Sequence, residues 1–239
     1  MNPAKWNIFI TGASGGIGLE FVRQYLNDGC RVFATYRNDD LASQLKSLKG
    51  DLELFPLDIR KVKQIEQVRD QLKDESIDIL INNAAIGGPA DQSATFGQID
   101  IESWSELMQT NVFYTVKLTE MFFDLVKRSQ GKKIVFISSR SGSISERGKL
   151  AHHLPGGTYI YRSSKAALNA VTQSLAFDYT LEGISVIVLH PGWVKTKMAG
   201  NKADLTVDQS VKSMKKLISS FVPAMNGVFY NFDGKIIPW

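Results

Sequence analysis

The chain has 239 residues, of which 44% are hydrophobic and 22% are charged, with a formal net charge of +4. This composition excludes a disordered or fibrous protein, and the length suits a single α/β domain over residues 1–239. Because the basic residues form no concentrated arm, we expect no nucleic-acid partner. A solvated surface and attraction for an anionic cofactor or substrate both remain open as explanations of the charge.

Several features of the sequence bear on location and on metals. The N-terminus passes directly into the short apolar stretch 6–10, so we expect no secretion signal. No apolar run reaches the roughly 20 residues that a membrane-spanning helix needs, so we expect no membrane partner. The single cysteine, Cys30, cannot form an internal disulfide, which fits a cytoplasmic protein. The three histidines, among them the adjacent His152 and His153, lack the spacing of a zinc site, so we expect no metal.

Short apolar runs alternate with longer segments of helical period along the chain. The runs predict strands at residues 7–11, 31–35, 52–56, 79–82, 133–138, 185–190 and 227–230. The segments between them predict helices at residues 17–27, 39–49, 62–73, 101–128, 161–181 and 207–221. The fourth helix is expected to bend or divide at Thr110 and Asn111, which do not favour a helix interior. This order predicts a Rossmann-type α/β fold, a doubly wound parallel sheet of about seven strands with helices on both faces.

A glycine-rich turn follows the first strand and opens the first helix. Residues 11–18 read TGASGGIG, in the position that a dinucleotide-binding turn occupies. Glycine lets the backbone approach a pyrophosphate, and the free amides of the helix N-terminus point at its charge. We therefore predict cofactor contacts at Gly12, Ser14, Gly16, Ile17 and Gly18. An ordinary glycine-rich turn between a strand and a helix is the alternative.

Tyr161 and Lys165 stand four residues apart near the start of a predicted helix, so both project from the same face. Bringing a tyrosine from its usual pKa of about 10 to neutrality costs about 4 kcal/mol. A cation about 4 Å away, at an effective dielectric of about 20, supplies about 4 kcal/mol. We therefore expect Lys165 to lower the pKa of Tyr161, which acts as general acid or base. A helix-surface pair is the alternative, and Tyr159 has no such partner.

The TGxxxGxG spacing at residues 11–18, followed by Tyr161-x-x-x-Lys165, resembles the classical short-chain dehydrogenase/reductase family, over essentially the whole chain. The resemblance implies hydride transfer between a nicotinamide dinucleotide and a carbonyl or alcohol. It also implies that Ser139 hydrogen-bonds the substrate oxygen. Asn111 would break a helix and hold a water in a proton relay to Lys165. Ser138 in place of Ser139, and an ordinary kink at Asn111, are the alternatives.

The resemblance implies further cofactor contacts after the third, fourth and sixth strands. These are Asp58 and Ile59, Asn83 and Ala84, and Val194 and Thr196. In the family the matching positions contact the adenine, line the cleft and bind the nicotinamide amide; Tyr161 and Lys165 complete the set, with Lys165 on the nicotinamide ribose. Each of these residues has a purely structural alternative. One departure is Ala85, where the family usually has glycine, and its methyl group is expected to tighten the cleft.

The end of the second strand bears on which dinucleotide is used. Arg37 stands where the 2′-phosphate of the adenosine ribose would lie, and a guanidinium pairs well with a phosphate. NADP(H) is therefore favoured over NAD(H). Against this, Gly15 occupies the position where many NADP-using relatives carry a second basic residue. A surface arginine is the alternative role for Arg37.

The last third of the chain resembles the Sniffer-type carbonyl reductase and C-factor branch. The resemblance lies in the long interval 141–157 and in residues 156–162, 190–196 and 230–234. It predicts an NADPH-dependent carbonyl reductase acting on a small carbonyl or alcohol. The resemblance to the wider family, whose members commonly pair through two long helices, implies a homodimer through the helices at 101–128 and 161–181. The alternative is a C-factor-like signalling protein that binds a dinucleotide. A ketoreductase for carrier-bound substrates ranks third, because no concentrated basic patch offers a docking surface.

Overall fold

The computed structural model describes residues 6–88, 96–147, 158–199 and 203–239. Eight strands run through these ranges: β1 Asn7–Ile10, β2 Arg31–Tyr36, β3 Leu52–Pro56, β4 Ile79–Asn82, β5 Lys133–Ile137, β6 Ser185–His190, β7 Phe229–Asn231 and β8 Ile236–Ile237. They form one sheet in the order β3-β2-β1-β4-β5-β6-β7-β8. Every neighbouring pair from β3 to β7 is parallel. The predicted doubly wound sheet is confirmed.

Helices connect these strands. They are α1 Gly16–Asn27, α2 Ser43–Lys46, α3 Val62–Gln71, α4 Ile101–Met108, α5 Thr115–Lys127, α6 Tyr159–Tyr179 and α7 Val207–Ser220. A π-helical segment, Gln109–Tyr114, joins α4 to α5, and 3-10 turns lie at Asp39–Leu41, Arg140–Gly142, Thr180–Glu182 and Pro223–Met225. Within the described ranges, none of these helices combines the length and apolarity needed to cross a membrane.

The side chains of the central strands point alternately to the two faces of the sheet, and each face packs against its own helices. Phe9 contacts Phe122 of α5 on one face, with ring centroids 4.6 Å apart. Its neighbours Ile8 and Ile10 belong to the cluster on the other face, which includes Phe21 of α1. Because both faces are covered, the central strands are apolar at consecutive positions.

The helix predicted at residues 39–49 is wrong in extent. The segment forms the 3-10 turn Asp39–Leu41 and the single-turn helix α2. Of its described side chains, only Ala42 and Leu45 are fully buried. One turn therefore satisfies the apolar contacts of this segment, and burial gives no reason for a longer helix.

The sheet has one strand more than the seven that were predicted. β8 pairs antiparallel with β7, through the register Phe229 with Ile237 and Tyr230 with Ile236. A two-residue strand is too short to show an alternating pattern in the sequence. The hairpin that carries it closes the far edge of the sheet, away from β1 and β4.

The strand order reverses between β1 and β4, since β2 and β3 continue on one side and β5 to β7 on the other. In open α/β sheets, ligands bind outside the carboxyl ends of the strands at such a reversal. The segments that follow β1, β4, β5 and β6 carry most of the predicted site residues. The fold therefore brings these residues to one edge of the sheet.

Candidate active site

The glycine turn after β1 is compact because side chains would not fit in it. A methyl group added to Gly18 would lie 2.6 Å from Asn83 Nδ2 and closer still to the Gly12 carbonyl oxygen. One added to Gly12 would lie 2.9 Å from the Cα of Ala84. Gly12 and Gly16 have φ values of 65° and 52°, which favour glycine. The turn therefore packs closely against the segment after β4, with no room for a side chain at Gly12 or Gly18.

The N-terminus of α1 has no side-chain cap and no acidic residue in its first turn. The amide groups at this end of the helix therefore receive no hydrogen bond from a capping side chain, and no carboxylate of the first turn opposes an anion. Ser14 lies half-buried just before this end, and Ile17 packs partly against the core. These features fit the phosphates of a dinucleotide.

The segment after β4 is tied to the glycine turn by hydrogen bonds. Thr11 Oγ1 accepts from the main-chain amides of Asn83 and Ala84, each at 3.0 Å. Asn83 Nδ2 donates to the carbonyl oxygens of Thr11 and Gly12, both at 3.0 Å. Asn83 thus holds the shape of the turn. The sequence analysis did not single out this use of the Thr11 hydroxyl, because the partners are about seventy residues apart.

Asp58, just beyond β3, is already engaged by a side chain that the sequence analysis did not identify. The carboxylate of Asp58 accepts from Arg60 Nε at 3.0 Å and from Arg60 Nη2 at 2.8 Å. These bonds, with a smaller contribution from Arg37, hold the pKa of Asp58 below its usual value. Arg60 also pairs with Glu106 of α4 at 3.0 Å. The side chain of Ile59 is buried in the core, so only its backbone can line a cleft.

The segment after β6 returns to the glycine turn. Val194 is buried and forms a parallel bridge with Leu205. A methyl group added to Gly16 would lie 3.3 Å from Thr196 Cγ2, so Thr196 lies directly beside the turn. Thr196 Oγ1 accepts from the amide of Ala199 at 3.3 Å.

Tyr161 and Lys165 both lie in the first two turns of α6, but their side chains do not form a close pair. Lys165 Nζ donates to the carbonyl oxygen of Ile137 in β5 at 3.1 Å and lies 6.0 Å from the centre of the Tyr161 ring. Burial lowers the pKa of Lys165 to about 8. Burial raises the pKa of Tyr161, and a hydrogen bond with the Ser139 side chain opposes that rise. The expected lowering of the Tyr161 pKa by Lys165 is therefore wrong, because burial has the largest effect.

The two serines after β5 have different partners. Ser138 Oγ donates to Asn169 Oδ1 within the core. Ser139 lies close enough to Tyr161 to oppose the rise in the pKa of the phenol, and its Oγ accepts from the Ser141 amide at 3.1 Å. Of the two candidates, Ser139 is thus the one beside the phenol.

Asn111 lies in the π-helical segment between α4 and α5, where the sequence predicts a bend. Its Oδ1 accepts from the Ile86 amide at 2.9 Å, and its Nδ2 donates to the Ile86 carbonyl at 3.0 Å. Nδ2 also donates to Ser164 Oγ at 3.2 Å. Asn111 therefore joins the segment after β4 to the helix that carries Tyr161. Nothing local in the sequence distinguishes Ser164, because its partner Asn111 is 53 residues away.

The loop after β4 lies against the start of α6 and against the segment after β6. A methyl group added to Gly88 would lie 3.6 Å from Tyr161 Cβ, and one added to Gly87 would lie 3.2 Å from Met198 Cγ. In the part of the chain that the structure describes, no cluster of His, Cys, Asp or Glu could hold a metal ion. His152 and His153, with the rest of 148–157, lie outside the described residues, as do residues 200–202.

Comparison with known proteins relates this geometry to a family. The family model described as short chain dehydrogenase matches residues 6–206. The NADPH-bound carbonyl reductase from chicken fatty liver is 33% identical, with 98% of each chain covered and a TM-score of 0.88. Carbonyl reductase Sniffer of Drosophila melanogaster is 32% identical, with 100% of each chain covered and a TM-score of 0.86. The C-signal protein of Myxococcus xanthus is 32% identical over 163 residues, which are 68% of this chain and 93% of that protein.

These matches confirm the predicted family and the predicted resemblance to the Sniffer and C-factor branch. The chain belongs to the short-chain dehydrogenase family, and it is an oxidoreductase of that family.

Proposed function

We propose that this oxidoreductase reduces a small carbonyl compound with NADPH, and that Tyr161 donates the proton. The observation that carries the proposal is the position of the Ser139 side chain, which lies close enough to Tyr161 to oppose the rise in the pKa of the phenol. This position supports a pair of neighbouring hydroxyl groups at the carboxyl end of the sheet. A carbonyl oxygen has two lone pairs, so it can accept from both hydroxyls at once.

The residues around the glycine turn fit a dinucleotide. The space that a methyl group on Gly12 or Gly18 would fill, and the uncapped N-terminus of α1, support binding of the pyrophosphate there. The remaining contacts are those inferred from the sequence: Ser14, Gly16, Ile17, Arg37, Asp58, Ile59, Asn83, Ala84, Tyr161, Lys165, Val194 and Thr196. When bound, the dinucleotide supplies the hydride.

The phenol of Tyr161 has a proton to give to the substrate oxygen, because a tyrosine with its ordinary pKa of about 10 is protonated at neutral pH and burial raises the pKa of Tyr161 further. That rise makes the phenol a weaker acid, so transfer of its proton depends on the groups that stabilise the charge left behind. Ser139 stabilises the charge that develops on that oxygen by donating a hydrogen bond. The Lys165 ammonium, held by Ile137, offsets the negative charge that Tyr161 acquires. Asn111 holds this helix in place, and its family role on a water would return the proton through Lys165.

The preference for NADPH rests on the charge near the end of β2. Arg37 is exposed there and lies close enough to Asp58 to lower its pKa. Arg60 occupies both oxygens of that carboxylate, so Asp58 presents less free negative charge to a 2′-phosphate. The chicken fatty liver reductase, which binds NADPH, is among the similar structures. These observations support NADP(H) over NAD(H).

The test is a turnover assay on purified protein saturated with NADPH, using a panel of quinones, diketones and aldehydes. We expect NADPH oxidation that matches carbonyl consumption mole for mole. A protein that binds NADPH and oxidises it with no member of the panel would contradict the proposal.

A second candidate function is a signalling protein that binds a dinucleotide with little turnover. The similarity to the C-signal protein of Myxococcus xanthus favours this candidate. The two candidates differ in one measurable way: both predict NADPH binding, but only the reductase predicts that substitution of Tyr161 removes a measurable activity.

Three further features complete the proposal: residues 1–239 as one domain, a cytoplasmic location and a homodimer. The shared sheet of the described residues supports the first, and the lone Cys30 is the basis of the second. The exposed side chains of Phe113 near α5 and of Val171 and Phe177 on α6 support pairing through these helices. Light scattering coupled to size-exclusion chromatography measures the mass, and a monomeric mass would contradict the dimer.

A further inference from the structure

A cavity of about 250 Å³ lies beside α6, between this helix and the chain that follows β5. One wall is the 3-10 turn Arg140–Gly142 and the loop after it, and the other is the first two turns of α6. The side chains that matter below are those of Ile144 and Arg147 on the first wall and of Tyr159, Arg162 and Ala166 on the second.

The cavity is separate from the side chains of the proposed reaction. Tyr159, Arg162 and Ala166 follow helical spacing and share one face of α6, whereas Tyr161 and Lys165 share another. At about 100° per residue, the two faces are roughly a third of a turn apart. A ligand in the cavity would therefore contact the same helix as a substrate, but from a different side.

Two guanidinium groups line the cavity, and neither has a carboxylate partner among the described residues. Arg162 Nη2 lies 3.5 Å from the Ser143 carbonyl oxygen, while its Nη1 is buried and has no hydrogen-bond partner among the described residues. Burial and the nearby Arg147 both lower the pKa of Arg162, so the two cations are close enough to repel each other. Glu146, the acidic residue next in sequence, is 4.0 Å from Arg140 Nε instead. None of the ion pairs among residues 6–88, 96–147, 158–199 and 203–239 involves Arg147 or Arg162.

The rest of the cavity is partly apolar. Ile144 is 79% exposed and Tyr159 is 36% exposed, so both lining side chains present apolar surface to solvent. The ring of Tyr159 also lies 6.0 Å from the ring of Phe96, itself 81% exposed. An apolar ligand surface in contact with Ile144 and Tyr159 would be removed from water.

We propose that this cavity binds a small organic carboxylate, whose anionic group lies against Arg147 and Arg162 and whose apolar body lies against Ile144 and Tyr159. A carboxylate matches the planar donors of a guanidinium and can accept from two nitrogens at once. It would give Arg162 Nη1 an acceptor and remove the repulsion between the two arginines. The site is independent of the proposed reduction, because it uses none of the residues to which that reaction is assigned.

The test is isothermal titration calorimetry of the full chain with benzoate, with benzamide as the uncharged analogue of the same shape. We expect saturable benzoate binding, and at least about tenfold weaker binding of benzamide, because benzamide lacks the charge that strengthens hydrogen bonds to arginine. Arg147→Gln and Arg162→Gln should each weaken benzoate binding by at least about tenfold. Arg69→Gln, which changes an exposed arginine of α3 paired with Asp70, should leave benzoate binding unchanged.

Three results would overturn the proposal. They are equal affinity for benzoate and benzamide, unchanged benzoate affinity in Arg147→Gln, and competition between benzoate and NADPH. If Arg162→Gln fails to fold by circular dichroism, the exposed Arg147 carries the test alone. Because the readout is binding and not turnover, the result does not depend on the proposed carbonyl reduction.

Discussion

The Lys165 ammonium is anchored to the main-chain oxygen of Ile137, 3.1 Å from it, and not to the phenol of Tyr161. The sheet therefore fixes the lysine, because Ile137 is the last residue of β5. At 6.0 Å from the ring centre, the ammonium does not outweigh the burial that raises the pKa of Tyr161. Tyr161 is protonated at neutral pH, as a phenol with a pKa of about 10 or above is, so it has a proton to donate in the direction of carbonyl reduction.

Substitution in the glycine turn should separate backbone crowding from simple loss of glycine. In Gly18→Ala, the added methyl group would lie 2.6 Å from Asn83 Nδ2 and even closer to the Gly12 carbonyl. We expect NADPH affinity to fall by at least about a hundredfold, because atoms at such distances must move apart. Gly15→Ala is the matched control, since nothing lies within 4 Å of its added methyl group and its φ is −173°. Fluorescence titration with NADPH measures both, and equal losses would contradict the account.

The choice between dinucleotides should depend on Arg37. Replacement by glutamine in Arg37→Gln removes the guanidinium at the end of β2, and a charge-assisted hydrogen bond is worth about 1.5–3 kcal/mol. The Kd for NADPH should therefore rise by about tenfold to a hundredfold, while the Kd for NADH stays within about twofold. Arg69→Gln is the control, because it removes the same charge from a site on α3, and it should leave both Kd values unchanged. An equal rise in the Kd for NADPH and for NADH would show that Arg37 does not bind the 2′-phosphate.

The strands of the sheet can be predicted from the sequence because each one is recognisable from a short run of neighbouring residues. Central strands buried on both faces, such as β5, are continuous apolar runs, and the helices that cover them show a helical period. The short extent of α2 and the presence of β8 could not be predicted, because neither segment is long enough to show a repeating apolar pattern. α2 is a single turn with one buried apolar side chain, Leu45, and β8 has two residues.

A buried lysine at the start of β5 should make stability depend on pH. Lys133 Nζ donates to the carbonyl oxygens of Ile218 and Phe221 at the end of α7, and burial lowers its pKa to about 8 from 10.5. The unfolded chain then binds more protons than the folded chain between these two values, so the contribution of Lys133 to stability rises with pH across this window. The full change is about 3 kcal/mol.

The measurement is urea denaturation of the wild type and of Lys133→Met between pH 7 and pH 10.5. The difference in unfolding free energy, wild type minus variant, should increase as pH rises through about 8. Using the difference removes the opposing effect of Cys30, whose pKa burial raises to about 11. A difference that is constant across this range would show that the Lys133 pKa is not lowered.

Asn111 should be needed for stability as well as for the proposed proton relay. Asn111→Ala leaves the amide and carbonyl of Ile86 without their side-chain partners. Loss of such bonds costs about 1–3 kcal/mol, so the free energy of unfolding should fall by that amount. Gln109→Ala is the control, because Gln109 lies in the same π-helical segment but is exposed and bonds only Ser105 among the described residues. An equal fall in the free energy of unfolding for both variants would show that the bonds of Asn111 to Ile86 do not stabilise the fold.

The candidate site shows where sequence reasoning ends. Tyr161 and Lys165 stand four residues apart, so their common helix is visible in the sequence. The bonds from Arg60 to both Asp58 and Glu106, and from Asn111 to Ser164, join separate elements and need the folded chain. The direction of the Tyr161 pKa could not be predicted either, because it depends on how deeply the phenol is buried.

The central claim is that Tyr161 donates the proton, and single-turnover reduction by Tyr161→Phe with saturating NADPH tests it most directly. The rate should fall by about a hundredfold or more, the usual scale for losing a general acid, while the Kd for NADPH stays nearly unchanged. Tyr159→Phe, two residues earlier on α6 and outside the proposed chemistry, should react at the wild-type rate. A Tyr161→Phe protein that turns over as fast as the wild type would contradict the account and assign the proton to another group.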